Sequence, residues 1–324
     1  MADPIVERIA RDAGVPDLVE ILSERLSPTD LQSLLLEVFR RNAGARSPKD
    51  VLDQYERGRF ARPATIDPRV LAEFDRLAFD LLPAGFEPVE LAPVEPLGAV
   101  SVLSGLSQDV VVTTIRNTEA VSDPTNLLAL ECAARRRASI RTGDRRARPV
   151  KLCASQRAVR GQRYEDAELS SHFRLLGLVT AGRAEASYRM ELESLTEQLG
   201  FHLRLLIEAE AIGIRIEGIE ISITDLTVGG WTSNLASGVV EPLSGRFPEI
   251  RIRFDPERES GRGYYERACF KLHAHDTAGN GVEVLDGGFT DWTQSLLGDR
   301  KERLLISGLG TERVCTRFRT GRPG

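Results

Sequence analysis

The segment Leu304 to Val314, LLISGLGTERV, constrains this chain more than any other. An apolar strand, Leu304 to Ile306, runs into a turn with glycines at 308 and 310 and ends on an acid–arginine pair, Glu312 and Arg313. Glycine lets a backbone pass close to a ligand, and a guanidinium just beyond it suits a phosphate oxygen. A glycine turn ahead of a helix occurs in many folds, so the residues upstream decide its meaning. They read GRGYYERACFKLHAH from Gly261 and LDGGFTDW from Leu285.

With 324 residues the chain can bury one large core plus an appendage. Hydrophobic residues make up 41% and charged residues 28%, which excludes a disordered or collagen-like chain. No apolar run approaches the roughly 20 residues that span a bilayer. The start, MADPIVERIARDAG, lacks the apolar stretch of a secretory signal, so a cytoplasmic location without membrane contact is expected. Cys132, Cys153, Cys269 and Cys315 lie far apart with no C-x-x-C pair, as expected of reduced, buried thiols rather than a disulfide framework or zinc ribbon. The net charge of -5 argues against nonspecific nucleic-acid binding. The densest basic run, Arg135 to Pro149, reads as a solvated loop.

Residues 1–66 read as a separate helical unit with its linker. Ser27-Pro28-Thr29-Asp30 is a helix start, and Leu31, Leu34, Leu35, Val38 and Phe39 then repeat at helical spacing. Ser47-Pro48-Lys49-Asp50 repeats the start signal ahead of Val51, Leu52 and Tyr55, so a small bundle or arm is expected. Arg57 to Pro68 is the expected linker. Asp67-Pro68 opens another helix bearing Val70, Leu71, Phe74, Leu77, Ala78 and Leu81, and FEPVELAP follows as a strand.

Further on, VVTTIRNTEAV leads into Ser122-Asp123-Pro124-Thr125, a good helix N-terminus, and a helix containing Ala134-Arg135. Two strands are expected next, one ending at Val159-Arg160 and one running from His172 through Val179. Glu185 to Glu210 has helical periodicity, and IRIEGIEISITDL alternates as a strand. His202 on that helix reads as a surface or packed residue. In Arg267 to His275, Cys269, Lys271, His273 and His275 share one face; zinc there would need a fourth ligand, so a half-solvated sheet face is the plainer reading. Trp231 and Trp292 read as packing anchors, with Trp292 next to Asp291 and able to wall a pocket.

These pieces, in this order, resemble the catalytic core of the class II aminoacyl-tRNA synthetases, and most of all the histidyl branch. Gly310-Thr311-Glu312-Arg313 resembles motif 3, Tyr264-Tyr265 its paired tyrosine, and Gly287, Gly288 and Asp291 its G-G-R-Y-D element. Pro93 falls at the motif 1 proline, and Arg160 at the motif 2 arginine. The resemblance covers about residues 67–318 and implies an α+β fold: an antiparallel sheet flanked by helices, carrying the N-terminal helical unit. It implies ATP with Mg2+ held by Arg160, Gln162, Phe173, Glu312 and Arg313, with Arg160 and Arg313 catalytic. A small carboxylic or amino acid is implied near Asp123, Thr125, Tyr264, Tyr265 and Asp291. No metal-ligating side chain is assigned. A homodimer is implied through motif 1.

The departures are as informative. The usual motif 2 glutamate is Gln162, and Leu178 and Val179 are apolar where an acid is expected. Ser260-Gly261-Arg262-Gly263-Tyr264-Tyr265 lacks the histidyl branch's catalytic arginine and its aspartate, with Arg258 and Arg262 flanking the gap. This argues against histidine as substrate. The chain ends about ten residues after motif 3, so no anticodon-binding domain is expected, nor tRNA read through its anticodon. Two functions fit: a stand-alone adenylate-forming ligase with a carrier protein, small amine or RNA as acceptor, or a noncatalytic synthetase-like subunit regulating a partner enzyme.

Overall fold

A computed structural model describes residues 3–144, 147–162, 170–228 and 230–320. Helices start where the capping residues dictate. In α1 (Pro4–Asp12) Asp3 accepts from the Ile5 amide, α2 (Leu18–Glu20) runs into a π turn at Ile21–Arg25, and α3 (Pro28–Gly44) is capped by Ser27. In α4 (Pro48–Arg57), Ser47 and Asp50 form a reciprocal capping box. Apolar side chains in these helices stay largely uncovered: Phe39, Val51 and Leu52 are each more than half exposed, and Ala10 is the one buried hydrophobic residue among the described residues before Val70. The amphipathic stripes are present, but among the described residues no second layer covers them, as in an extended arm.

Helix α5 (Pro68–Asp80) is different. Val70, Leu71, Phe74 and Ala78 are buried at the spacing that the sequence predicts. The expected strand FEPVELAP is cut short: β1 (Phe86–Pro88) pairs in parallel with three residues of a later strand, and one further bond joins the Val89 amide to the Cys153 carbonyl. Prolines at 88 and 93 carry no amide hydrogen, which limits how far such a ladder extends. The chain continues as β2 (Val94–Pro96), α6 (Ala99–Ser104), β3 (Thr118–Ala120) and α7 (Pro124–Arg141), with β2 and β3 forming a small antiparallel pair.

The principal sheet adds β4 (Val150–Val159), β5 (His172–Arg183), and, after α8 (Arg189–Glu208), β6 (Gly218–Asp225). Short helices α9 (Thr232–Leu235) and α10 (Glu241–Arg246) lead to β7 (Arg251–Phe254), β8 (Glu266–His275), β9 (Gly281–Thr290), α11 (Trp292–Leu297), β10 (Glu302–Leu309) and α12 (Thr311–Arg317). Its eight strands lie in the order β1-β4-β5-β10-β9-β8-β6-β7, antiparallel except at the two edges, where β1 and β7 pair in parallel. One face packs on α5 and α8 through Leu176, Leu178, Leu195, Leu199, Phe270 and Leu305. The other is covered by α7 and α11 over β4, β5 and β10, with Leu128, Leu152, Val179 and Ile306 in that layer.

Helix α7 overturns one expectation. The run starting at Arg135 is helical as far as Arg141, and Arg136 is fully buried, its Nε and Nη2 donating to both oxygens of Glu302 at 3.0 and 2.8 Å. Arg135 pairs with Glu131 and Glu87. Arg145 and Arg146, in the same basic run, lie outside the described residues. All four cysteines are free and buried. No helix among the described residues is long and apolar enough to cross a membrane.

Candidate functional site

Antiparallel register sets the floor of the site. Ala154, Gly177, Gly308, Asp286, Lys271 and Ser222 form one row across β4, β5, β10, β9, β8 and β6. A Cβ on Gly177 would meet Pro124 and Leu128 of α7 at 3.0 and 3.3 Å, whereas one on Gly308 would meet nothing within 4 Å. The floor is thus roofed by α7 at β5 and open over β10, beside Asp286.

Arg160, one residue past β4, hangs at the rim. Its Nε donates to the Ser122 carbonyl at 3.1 Å, its Nη2 reaches Asp123 at 3.4 Å, and its guanidinium lies 5.0 Å from the centre of the Phe173 ring. Asp123 also caps α7, accepting from the Thr125 amide and hydroxyl at 2.9 and 2.7 Å. Thr125 is buried with its hydroxyl committed to that cap. Capping and ligand contact remain compatible at Asp123, whose carboxylate is partly exposed.

Tyr264 and Tyr265 pack edge to face at 4.7 Å, and Tyr264 meets Trp292 in the same way at 5.6 Å. Burial raises both phenols; Asp123 and Asp286 push Tyr264 further up while Arg160 opposes them, and Asp286 is the strongest charge acting on Tyr265. Tyr264 is thus within electrostatic reach of the Asp123–Arg160 pair and of Asp286. Gly288 makes room for the tyrosines, because a Cβ there would lie 2.7 Å from the Tyr265 ring and 2.9 Å from the Ala268 carbonyl oxygen. Asp291, by contrast, stands exposed at the start of α11, where the Ser295 hydroxyl reaches its carboxylate at 3.4 Å.

At motif 3, Glu312 accepts from the Arg174 backbone amide and pairs with Arg157, each at 3.1 Å. Arg313 is exposed, with Nη1 donating to the Glu283 carbonyl at 2.8 Å. Arg262 turns back on its own loop, to the carbonyls of Arg258 and Pro256. Gln162 is half-buried at the neck of the motif 2 loop; residues 163–169 of that loop lie outside the described residues. The linker clamps this neck. Arg59 donates to the carbonyls of Gly161 and Gln162, and His172 Nε2 bonds the Arg62 carbonyl at 2.6 Å. His172 Nδ1 accepts from Arg157 at 2.9 Å, which links the linker to Glu312.

Two features escape a reading by residue type. Arg258 is buried and faces Asp286. Glu95 and Glu119 are buried directly opposite each other on β2 and β3. Glu119 is satisfied by the Gly98 and Val100 amides and by Gln108, while Glu95 has one bond, from the Ser122 amide at 3.4 Å. Burial pushes the Glu95 carboxyl up to about 8, with Glu119 and Asp123 adding to the effect. His202, fully buried and bonded through Nε2 to the Ser307 hydroxyl at 2.9 Å, is a packed residue, and burial lowers it to about 3. Cys269, Lys271, His273 and His275 do share a face, across a register shift between Leu272 and His273, and Lys271 pairs with Glu283. No metal-holding cluster of three such side chains occurs among the described residues.

Glu95 gives a pH prediction. A carboxyl whose folded value lies above its unfolded 4.5 holds its proton more tightly when folded, so its contribution is full at low pH and is lost as pH rises toward 8. Between pH 7 and 8, where His202 is mostly neutral in both states, the contribution of Glu95 to stability is expected to fall by about 1 kcal/mol per pH unit. Glu95→Gln should remove that slope in urea denaturation series. An equal slope in both proteins would mean that Glu95 is ionised in the fold.

The structure is similar to that of an ATP phosphoribosyltransferase regulatory subunit/histidyl-tRNA synthetase from Bacillus halodurans, at a TM-score of 0.59 and 14% identity over 81% of this chain and 83% of that one. It is similar to apo histidyl-tRNA synthetase of S. aureus (TM-score 0.54, 14% identity, 77% of this chain and 65% of that one). A histidine–tRNA ligase subunit of Alicyclobacillus acidocaldarius also matches (TM-score 0.51, 16% identity, 78% and 96%). The fold is that of the class II aminoacyl-tRNA synthetases. No family sequence model matches the chain, and no curated protein matches it by sequence. In this class II synthetase-like core the sequence-predicted Asp123, Arg160, Phe173, Tyr264 and Tyr265 gather on one sheet face, whereas Thr125 is committed to the α7 cap and Asp291 stands exposed at the start of α11.

Proposed function

We infer that the chain is an ATP-dependent ligase-type core that activates a small carboxylic or amino acid as an acyl-adenylate. The observation that carries this reading is Arg160, fixed between the Ser122 carbonyl, Asp123 and the Phe173 ring at the edge of an open sheet floor. A planar cation held in place before reaction stabilises charge that develops on a phosphoryl oxygen. The fit to ATP rests on two further features. Arg313 spends one nitrogen on a carbonyl and is otherwise exposed, and the space over Gly308 lets a ligand approach the backbone.

In the reaction a substrate carboxylate oxygen attacks the α-phosphorus, the new acyl–O–P bond forms, and the P–O bond to the departing pyrophosphate breaks. Arg160 orients the α-phosphate and Arg313 the distal phosphates. Positioning and cationic stabilisation supply most of the rate. Asp123, at the neck of α7, accepts from an amino group on the substrate. Mg2+, arriving with the phosphates, would add charge neutralisation. Residues 1–66 form an accessory arm on the 67–318 core. A homodimer through the motif 1 region and a carrier protein or amine as acceptor follow as parts of the same proposal.

A second reading is favoured by one observation: Glu312 is committed to Arg157 and the Arg174 amide, and Gln162 carries no charge. In that reading the core binds a ligand without chemistry and regulates a partner enzyme. Calorimetric titration with MgATP separates the two. Micromolar binding that weakens about tenfold or more in folded Arg313→Ala is expected for a nucleotide site. No binding to the native protein favours the regulatory reading, and equal binding by the variant removes Arg313 from the site.

A further inference from the structure

Burying a guanidinium is costly unless each donor finds an acceptor. Arg258, in the loop between β7 and β8, is buried with its charge opposed by Asp286: Nη2 lies 2.9 and 3.2 Å from the two carboxylate oxygens. Its Nε donates to the Ser260 carbonyl at 2.7 Å, and its guanidinium lies 5.7 Å from the centre of the Tyr265 ring. Nη1 is buried without a partner among the described residues. Asp286 sits in the floor row next to Gly308, whose Cβ direction is open, and its side chain is 37% exposed. Asp286 therefore borders the site with free lone pairs on its carboxylate, and the buried Arg258 paired to it holds one unused donor.

We propose that Arg258 and Asp286 form the specificity end of the site and read an uncharged head group that presents a carbonyl oxygen beside an N–H, a carboxamide or ureido group. The carbonyl oxygen accepts from Arg258 Nη1, and the N–H donates to Asp286. A carboxylate head is disfavoured, because Asp286 already offsets Arg258 and a second anion would leave the half-buried locus negative. An apolar head leaves both polar groups unmatched, and sites built on hydrogen bonds reject analogues that lack them. This rests on the small-acid reading above and deepens it: the activated acid carries such a head at its far end.

The test is binding of L-asparagine, L-glutamine and L-citrulline, with L-aspartate, L-glutamate and L-leucine as controls, by calorimetry on the full chain. MgATP titration, run separately, reports on the activation reading alone. At least one amide or ureido compound is expected to bind about tenfold more tightly than its carboxylate or apolar counterpart. Arg258→Met should abolish that preference, and Asp286→Asn, which keeps the hydrogen bond and removes the negative charge, should shift it toward aspartate or glutamate. The Asp286→Asn arm stands if Arg258→Met does not fold. Tighter binding of the carboxylates or leucine by the native protein, unchanged selectivity in Asp286→Asn, or no binding by any of the six would overturn the proposal.

Discussion

Glu302→Ala is expected to destabilise the fold by about 3–5 kcal/mol, the usual cost of leaving one member of a buried ion pair uncompensated. Arg136 and Glu302 have no solvent-exposed side-chain surface, and their two bonds join α7 to the first residue of β10. Alanine would leave the guanidinium's charge without its carboxylate in a layer formed by α7 and the sheet, while Nη1 keeps the Ala147 carbonyl at 3.4 Å. Arg183, 3.8 Å from the same carboxylate, would lose a partner as well but keeps Asp299. Chemical denaturation with a common slope reads the loss directly. A change below about 1 kcal/mol would show that solvent reaches the pair. The double variant Arg136→Met with Glu302→Leu is a useful companion, because apolar side chains of similar volume often restore what a broken pair loses.

Under the activation reading, Arg160→Ala is expected to slow acid-dependent pyrophosphate exchange about 100- to 1,000-fold, the range for removing one fixed electrostatic contact to a transition state. The side chain is about one-third exposed and its bonds are to the Ser122 carbonyl and Asp123, so stability should change by less than about 1 kcal/mol. Arg160→Lys should recover little, since an ammonium cannot bond Ser122, stack on Phe173 and face a phosphate at once. Exchange at the native rate in either folded variant would exclude Arg160 from the chemistry, whatever the substrate proves to be.

Local signals are legible residue by residue. Ser27, Ser47, Asp67 and Asp123 each stand ahead of a proline, and each caps the helix that the pattern predicts. The ends of β4 and β5 fall at Val159 and His172, where the motif 2 resemblance puts them. Alternation in β8 separates Phe270 and Leu272 from Lys271 and His273. Such features depend on neighbours within a few positions, so composition and spacing are enough to find them.

Burial of charge is not legible in the same way. Arg135 to Arg141 read as part of a solvated loop, because a guanidinium is normally exposed and the partner of Arg136, Glu302, lies 166 positions away. Glu95 and Glu119 give no signal for the same reason: their opposition exists only once β2 and β3 pair. Arg258 is visible in the sequence as a flank of the gap at Ser260. The carboxylate that faces it is Asp286, which the sequence reading did not single out, since only register across β9 and β10 puts Asp286 beside Gly308.

The sequence by itself determined the helix starts and the strand alternation, encoded in short-range periodicity, and its motifs carried the class II resemblance and the gap in its tyrosine motif. Tertiary structure alone decided which charges are buried, that the linker holds the motif 2 neck through Arg59 and Arg62, and which carboxylate faces Arg258. The reason is physical. The cost of a charge or an unpaired donor is set by its solvent exposure and its partner, and both come from strands and helices brought together from distant parts of the chain.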